Sequence, residues 1–571
     1  MLAFKGLLKT ALVMGAALPV GAALAANADT IFYGGSIITV NDKSPMAEAL
    51  AVKNGKIVAV GSEAAVLKAE KGDATKLIDL RGRTMTPGFI DGHSHFASAL
   101  DMANQVNVSA PPAGPASNPD EIITALKAFA AERKFAPGAL IAGYGYDDNL
   151  MKPLTRDALD AAFPNNPVFV IHVSMHGVVL NSRAFEKFGI SAATPTPEGG
   201  IIQRKPGSQE PSGLLMETAA FPVLMAKETP TPQQEIDRLK FAQGLYAAAG
   251  ITTAQEGATL TADLAILKRG AAAGALFIDV VANPYFHELD KTLAANPIGT
   301  WGKYDNRLKI SGCKVTIDGS PQGKTAAFTT PYLTDGPSGE KNWKGEPGIS
   351  QADLNALVKK CYDMGAQMLL HGNGDAAIDM ALKAHEFAAP GDLSRDRRTV
   401  VIHSQFVRRD QLKKFAAYKF VPSMFTEHTF FFGDTHVKNR GATQAAFLSP
   451  LKTAFALGLQ PTNHTDFNVV PIDQMLVMWT AVNRISRSGA VIGPKERVTP
   501  LQALKAITIN GAHQYGEEAI KGSLVPGKLA DLTILSDNPL KVPTMKIKDI
   551  QVLATFKEGR QIHGEDVGSI R

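Results

Sequence analysis

Short runs of branched and aromatic residues alternate with longer amphipathic stretches through the middle of the chain. Runs of this length predict buried strands, and strands that alternate with helical stretches predict a parallel sheet covered by helices. Eight strands are expected, at residues 85–96, 251–256, 277–283, 308–317, 366–371, 399–403, 420–425 and 459–466. The pattern therefore predicts an α/β fold, a (β/α)8 TIM barrel over residues 85–514, with its chemistry at the C-terminal ends of the strands.

The two ends of the chain show a different, β-rich pattern. Strands are expected at 31–40 and 51–61, the second containing a turn at Asn54-Gly55, and again at 529–535 and 550–560. These ends predict one small β-sandwich domain built from residues 26–84 and 515–571. The gap between the first two barrel strands is too long for a single crossover, so an inserted subdomain is expected at about 101–245, with strands at 139–146 and 168–173.

The first 25 residues predict a signal peptide. A basic start, which ends at Lys9, precedes an apolar stretch from Thr10 to Leu24 and a small-residue cleavage site at 23–25. The stretch is too short and too rich in small residues for a membrane span, and an uncleaved anchor or a disordered tail are the alternatives. A periplasmic or secreted protein is expected, with no membrane contact after cleavage.

Composition narrows the classes of partner. The chain has 571 residues, of which 45% are hydrophobic and 20% charged, as in a globular protein with a sizeable core. Lysine and arginine number 59 against 54 acidic residues, and no basic run is typical of nucleic-acid binding. A small-molecule substrate is expected, no nucleic acid, and a homo-oligomer is left open.

The two cysteines, Cys313 and Cys361, are too few for a disulfide scaffold or a cysteine-based zinc module. Cys313 is expected to face the outer helices, and Cys361 to lie on the helix that leads into the fifth barrel strand. Contact between them is open, but two free thiols are favoured over a disulfide.

Several histidines lie where the predicted barrel strands end. His93 and His95 are two residues apart, so their side chains share one face of the first strand. His371 and His403 end the fifth and sixth strands, and Asp466 ends the eighth. Imidazole and carboxylate groups that converge at one end of a barrel predict a metal site, with scattered surface histidines as the alternative.

With Lys314 on the fourth strand, this set resembles the metal-dependent amidohydrolase superfamily, and more narrowly the branch grouped with N-substituted formamide deformylases. The resemblance covers about residues 29–565 and includes the segments 86–95, 314–320, 371–375 and 522–532. Each segment is moderate evidence alone. Their order and spacing make the resemblance strong.

The resemblance implies two divalent metal ions, with zinc favoured and manganese or iron open. It implies that Lys314 is carboxylated by CO2, because an anionic carbamate bridges two cations and an ammonium group would repel them. Asp466 is expected to be the catalytic proton shuttle for metal-activated water. Without the resemblance, a surface or salt-bridged Lys314 and a turn-capping Asp466 stay open. The implied metal ligands are His93, His95, Lys314, His371, His403 and Asp466.

The expected activity is hydrolysis of an amide or related C–N bond in a small, largely apolar substrate. Lactone, ester or carbamate hydrolysis at the same site is the alternative, and a mononuclear deaminase or a non-catalytic binding protein is less favoured. Gly374 stands where such deaminases usually carry glutamate, although Asp375 beside it keeps that interpretation open.

Two loops depart from the branch, at 465–468, where Ser-Asp-x-Pro is typical, and at 423–432, where Gln-Pro-x-His is typical. Such loops set specificity, so the formamide substrate is not carried over. Candidate substrate-binding residues are Tyr146 and His176 from the insertion and His428 and Phe430 after the seventh strand. For the aromatic residues, packing is the alternative.

Overall fold

The computed structural model describes residues 27–111, 113–148, 151–173, 177–197, 200–224, 230–337, 339–565 and 567. The predicted signal peptide and His176 lie outside these residues, so both stay predictions. Within the described ranges, no helix is both long and apolar enough to cross a membrane.

The first part of the chain forms mostly short strands. Strands β5, β4, β1 and β6 lie side by side in that order in a four-stranded sheet. Asn54 and Gly55 form the turn between β4 and β5, and both have the positive φ angles, 48° and 73°, that a two-residue hairpin turn requires. The elements are β1 (Thr30–Tyr33), β2 (Ser36–Ile38), β3 (Met46–Ala47), β4 (Ala49–Lys53), β5 (Lys56–Gly61), α1 (Glu63–Glu70), β6 (Lys76–Asp79), β7 (Thr84–Pro87) and β8 (Phe89–Ile90).

The inserted segment has a mixed sheet of its own, in the order β13-β14-β12-β11-β10-β9. Helices α3 and α4 begin where the side chains of Asn118 and Thr155 accept hydrogen bonds from backbone N–H groups. The elements are α2 (Phe96–Met102), β9 (Val106–Asn107), α3 (Pro119–Glu132), β10 (Ile141–Tyr146), α4 (Arg156–Ala162), β11 (Val168–His172), β12 (Gly177–Leu180), α5 (Ser182–Lys187), β13 (Gly200–Arg204), β14 (Pro211–Glu217) and α6 (Phe221–Leu224).

The central part alternates strands with helices, and its largest hydrophobic core lies between the two layers. The elements are α7 (Pro232–Ala248), β15 (Ile251–Thr259), α8 (Thr261–Ala272), β16 (Asp279–Pro284), α9 (Leu289–Ala295), β17 (Tyr304–Asp305), β18 (Leu308–Ile310), β19 (Gly312–Thr316), α10 (Gln351–Asp363), β20 (Gln367–Gly372), α11 (Asp375–Ala388), β21 (Val400–His403), α12 (Arg409–Tyr418), β22 (Val421–Met424), α13 (His428–Phe431), α14 (Gly433–Ala445), α15 (Leu451–Ala456), β23 (Thr462–Asn463), α16 (Gln474–Asn483), α17 (Pro500–Ala506) and α18 (Ile509–Gln514).

Two sheets carry the central strands, in the orders β17-β18-β16-β15-β8 and β19-β20-β21-β22-β23. All neighbours are parallel except β17 and β18. The sheets approach each other at two places: Tyr285, which follows β16, pairs with Lys314 on β19, and the backbone N–H of Asp466 donates to the carbonyl of His93 at 3.2 Å. Closure into a complete eight-stranded barrel stays a prediction.

The first central strand is shorter than the sequence predicts. Residues 85–96 are divided between β7, which belongs to another sheet, and the two-residue β8. Gly88 lies between them, where an added Cβ would approach the Thr252 side chain to 2.5 Å. His93 and His95 consequently lie beyond the end of β8, not on a strand.

The chain ends in β24 (Leu532–Leu535), β25 (Val552–Lys557) and β26 (Arg560–Gly564). These strands join three from the beginning of the chain in a sheet of order β26-β25-β24-β7-β2-β3. Strand β24 pairs with β7 from Leu532 opposite Pro87 to Leu535 opposite Thr84. The described 3-10 helices are Phe286–Glu288, Ile298–Thr300, Pro494–Glu496 and Thr544–Asp549.

A buried ionic network joins this terminal sheet to β16. The Nζ atoms of Lys557 and Lys521 lie 2.7 and 2.6 Å from the same oxygen of Asp279. Lys557 also pairs with Asp531 at 2.8 Å, and Lys521 with Glu517 at 2.9 Å, and none of these side chains is more than 7% exposed. Burial alone would raise the pKa of Asp279, but Lys557 and Lys521 outweigh it and hold that pKa well below its usual range.

The expectation of free thiols is wrong in this structure. Cys313 on β19 and Cys361 on α10 are joined in a disulfide, with their Cα atoms 6.5 Å apart. Both residues are fully buried. The physical reason is that α10 packs directly behind β19 and β20, so the outward side of β19 meets the helix within the span that a disulfide bridges.

Candidate metal centre

Two histidines and an aspartate converge beyond the ends of β8 and β23. The Nε2 atoms of His93 and His95 lie 3.2 and 3.5 Å from the same oxygen, Oδ1 of Asp466. One ligand atom from each residue fits within a span of 4.8 Å. Oδ1 nevertheless has no hydrogen-bond partner among the described residues, because the angles are unsuitable. Three lone-pair donors that face one point without bonding to each other fit a divalent cation.

The other three predicted ligands lie against this group. Lys314 Nζ is 3.4 Å from His93 Nε2, and His403 Nε2 is 3.8 Å from Asp466 Oδ2. The ring of His371 lies 4.5 Å from that of His403. The structure therefore brings together all six residues that the sequence predicts as ligands.

Burial sets the charge of these groups. It lowers the pKa of His93 and His403 well below the usual value, so both imidazoles are neutral, the form that binds metals. Burial would raise the pKa of Asp466, but His403, His93 and His95 outweigh it and keep the carboxylate ionised. Burial also lowers the pKa of Lys314 to about 8, although Asp466 and Glu256 oppose it.

The backbone is strained where it presents two of these residues. His403 and Asp466 have φ angles of 69° and 52°, and Ser404 follows His403 at 43°. Non-glycine residues seldom adopt this left-handed region, and they do so most often at functional sites. The strain turns the side chains of His403 and Asp466 away from the course of their strands and toward the centre.

Of two residues outside the predicted set, one is hydrogen-bonded to a predicted ligand and the other lies close to a second. Gln255 on β15 accepts a hydrogen bond from His93 Nδ1 at 2.6 Å, which leaves His93 Nε2 free for a metal. Asp318 Oδ1 lies 3.4 Å from His371 Nδ1, and the Asp318 carboxylate accepts from the backbone N–H groups of Asn373 and Gly374. The sequence analysis missed Gln255, whose only signal was its place on a predicted strand beside the first.

His464 is a further imidazole that sequence reasoning did not assign to the centre. Its ring lies 5.2 Å from His93 and 5.1 Å from His403. Both of its nitrogens are buried and have no hydrogen-bond partner within the described part of the chain. Its spacing of two from Asp466, the same as that of His93 from His95, is the signal that could have found it.

The predicted substrate-binding residues occupy different places. His428 begins α13, and its ring lies 4.4 Å from that of Phe425, which lies 4.9 Å from the ring of His464. Phe430 packs against Trp479 at 5.8 Å between ring centroids. Tyr146 lies in the core of the insertion, where its hydroxyl accepts from the Leu154 N–H at 3.0 Å. No contact of Tyr146 with the six ligands is found among the described residues.

An apolar cavity of about 470 Å³ lies next to the centre, between the insertion and the loop that follows Asp466. Its wall includes Tyr144 from the insertion, Phe467 and Val470 from the loop, and Gln474 at the start of α16. None of the six predicted ligands lines it. The cavity therefore adjoins the centre, because Phe467 in its wall directly follows Asp466 in the sequence.

A set of imidazoles and a carboxylate at the C-terminal ends of parallel strands defines a metal-dependent hydrolase. The profile of the Amidohydrolase family matches residues 76–563. The chain belongs to this family and is a metal-dependent amidohydrolase.

Individual proteins are similar to this chain over most of its length. The N-substituted formamide deformylase of Arthrobacter pascens is 28% identical over 546 residues, which cover 93% of this chain and 97% of the relative. Protein LONG AFTER FAR-RED 3 of Arabidopsis thaliana is 30% identical, over 94% of this chain and 92% of its own length. A metal-dependent hydrolase from Pyrococcus horikoshii OT3 has the same fold, with a TM-score of 0.71 at 23% identity, over 90% of this chain and 99% of that one.

Proposed function

We propose that this amidohydrolase cleaves an amide or related C–N bond in a small, largely apolar substrate. The observation that carries the proposal is the convergence of His93, His95 and Asp466 on one point, beside the buried Lys314. The deformylase from Arthrobacter acts on N-substituted formamides by its name and resembles this chain over almost its full length. Ester, lactone or carbamate cleavage is the second candidate, because the same groups serve any carbonyl.

Two divalent ions, zinc by preference, suit this donor set of imidazoles and carboxylate. His93, His95 and Asp466 would hold one ion, His371 and His403 the other, and a carboxylated Lys314 would lie between them. When bound, such ions polarise a carbonyl and lower the pKa of water. The neutral imidazoles and the ionised Asp466 described above are the protonation states that ligands need.

Asp466 carries the proton in this proposal. One of its carboxylate oxygens takes the proton from the attacking water and delivers it to the departing nitrogen, so that the amine leaves uncharged. Gln255 keeps the His93 ring fixed during this transfer through its hydrogen bond to Nδ1. The apolar cavity beyond Phe467 would receive the hydrocarbon part of the substrate.

A substrate panel tests the proposal. Metal-loaded protein is assayed against N-substituted formamides, other N-acyl amines, N-acyl amino acids, lactones, aryl esters and carbamates, with chelated protein as the control. We expect the highest kcat/KM for amides with a bulky apolar group, and loss of turnover on chelation. A preference for lactones or esters supports the second candidate, and no turnover of any member contradicts the proposal.

Lys314→Ala tests the carboxylated lysine. We expect the loss of at least one metal equivalent and most of the activity, since the bridging anion is gone. Elemental analysis of the purified protein measures this directly. Lys309→Ala is the matched control, because Lys309 is a buried lysine that pairs with Glu517 and should change stability without changing metal content. Unchanged metal content in Lys314→Ala would remove the lysine from the site.

A further inference from the structure

A pair of imidazoles borders the metal centre on the segment after β22. His428 begins α13, and His436 lies on α14. His428 Nδ1 and His436 Nε2 are 3.0 Å apart, and the two rings are stacked with an interplanar angle of 10°. Both residues are buried, with 3% and 0% of their surface exposed. A hydrogen bond between two buried imidazoles is a specific arrangement that the metal site itself does not require.

Phe425 links this pair to the centre. The ring of His428 lies 4.4 Å from Phe425, and Phe425 lies 4.9 Å from His464 and 6.0 Å from His403. Since His428 Nδ1 is engaged by His436, Nε2 is the nitrogen that His428 has left for a substrate.

The direction of the shared hydrogen bond follows from the unpaired atom of His436. Burial lowers the pKa of both rings, that of His436 to about 3, so each neutral ring has one N–H donor and one acceptor. His436 Nδ1 is buried without a hydrogen-bond partner in the described ranges. If His428 donated, that atom would be an unpaired N–H, which interiors rarely contain. If His436 donates, only a lone pair is left unpaired. We take His436 Nε2–H as the donor.

We infer that His436 is a positioning residue that fixes His428 as the Nε2–H tautomer, and that His428 donates this N–H to the oxygen of the scissile carbonyl. The inference rests on the proposed function and adds a substrate contact from this chain. The carbonyl oxygen gains negative charge as water adds, so a fixed donor stabilises the transition state more than the bound substrate. The loss of such a donor should therefore reduce kcat more than it raises KM.

Kinetics of matched variants test the contact, on the substrate that the panel identifies. His428→Ala should lower kcat on the order of 100-fold with little change in KM, the usual effect of removing one oxyanion donor. His436→Ala should lower kcat by about 10-fold, because His428 is then free to change tautomer, and His436→Gln should recover most of it with an amide N–H in place of Nε2–H. The double alanine variant should resemble His428→Ala, because both residues act through one group. Metal content should be unchanged throughout.

His385→Ala is the structural control. His385 is another buried imidazole, hydrogen-bonded through Nδ1 to the Tyr362 hydroxyl at 2.9 Å and packed on Phe420. Its removal should lower stability but leave kcat and KM unchanged. A kcat loss in His436→Ala no larger than that in His385→Ala would overturn the positioning role.

A measurement without substrate separates this inference from the proposed function. The enzyme is labelled with 15N-histidine, loaded with metal and studied by NMR, and the His428 signals are assigned by their loss in His428→Gln. Between pH 6 and 9, we expect His428 to have a protonated Nε2 and an unprotonated Nδ1. In His436→Ala, the His428 signals should move toward a mixture of tautomers. A wild-type His428 with its proton on Nδ1 would overturn the inference. If no member of the substrate panel is turned over, the proposed function is contradicted, but the protonation of His428 can still be measured and still tests the tautomer.

Discussion

Asp466 has two roles in the proposed function, metal ligand and proton carrier. Its Oδ1 lies 3.2 and 3.5 Å from the Nε2 atoms of His93 and His95, and the residue follows β23 with a φ angle of 52°. An ionised carboxylate in this position can hold a cation and still accept a proton from neighbouring water. Substitution by asparagine separates the two roles, because it affects metal binding and proton transfer to different extents.

Asp466→Asn should keep the fold and most of the metal, because the amide retains the shape and one oxygen that can coordinate. It should lose on the order of 100-fold or more in turnover, the usual contribution of positioned acid-base catalysis. The loss should fall on kcat more than on KM, since the proton moves in the transition state. Asp305→Asn, in an exposed carboxylate on β17, is the control and should leave kcat unchanged. If Asp466→Asn has near wild-type turnover and its metal content is verified, another group must carry the proton.

At the residue scale, the sequence could predict which side chains lie together at the centre but not Gln255, which is hydrogen-bonded to one of them. His93, His95, His371, His403 and Asp466 follow runs whose apolar pattern reveals a strand end, and a strand end has a known direction. Gln255 is inside such a run, and glutamine in a strand has many ordinary roles. Only the 2.6 Å contact with His93 distinguishes it.

At the element scale, strand existence was predictable and strand limits were not. The apolar run at 85–96 predicts one strand, because Pro87 and Gly88 interrupt it without ending its hydrophobic pattern. In the structure, the chain changes sheets at these two residues, since proline lacks an N–H for pairing and Gly88 must pass close to Thr252. Tertiary pairing of this kind leaves no local signal.

The disulfide ties β19, the strand that carries Lys314, to helix α10 in the outer layer. Cys313 directly precedes Lys314, and its bond to Cys361 closes a loop with a sequence separation of 48. Cys313→Ala/Cys361→Ala should lower the free energy of unfolding by about 2 to 4 kcal/mol, because the unfolded chain regains its freedom. Urea unfolding with and without reductant measures this, and reductant should have no effect on the double variant. Two thiols that titrate in denatured, unreduced protein would contradict the bond.

At the scale of the whole molecule, Asp279 connects the terminal sheet with the central strands. Asp279→Asn should lower the free energy of unfolding by about 3 kcal/mol or more, because Lys521 and Lys557 stay buried with too little negative charge. The folded pKa of Asp279 lies below its unfolded value near 3.9, so its stabilisation is present above about pH 4 and is lost as the pH falls toward the folded pKa.

Urea midpoints at pH 7 and below pH 4 measure both effects. The wild-type midpoint should fall on acidification more steeply than that of Asp279→Asn, which has no carboxylate to protonate there. Asp335→Asn is the control, because its partner Lys341 has a side chain that is 77% exposed, and water replaces such a pair at little cost. Equal midpoints for Asp279→Asn and wild type would show that the network does not stabilise the junction.

The pairing of β24 with β7 has a consequence for the order of events during synthesis. Strand β7 is followed, after Gly88, by β8 and then by His93. Its partner strand, β24, lies almost at the opposite end of the chain. The ribosome releases β24 only after all the central strands and helices have been made. Strand β7, which precedes β8 and the segment of His93, therefore gains this partner only when the last tenth of the chain has been made, so this part of the fold is completed at the end of translation.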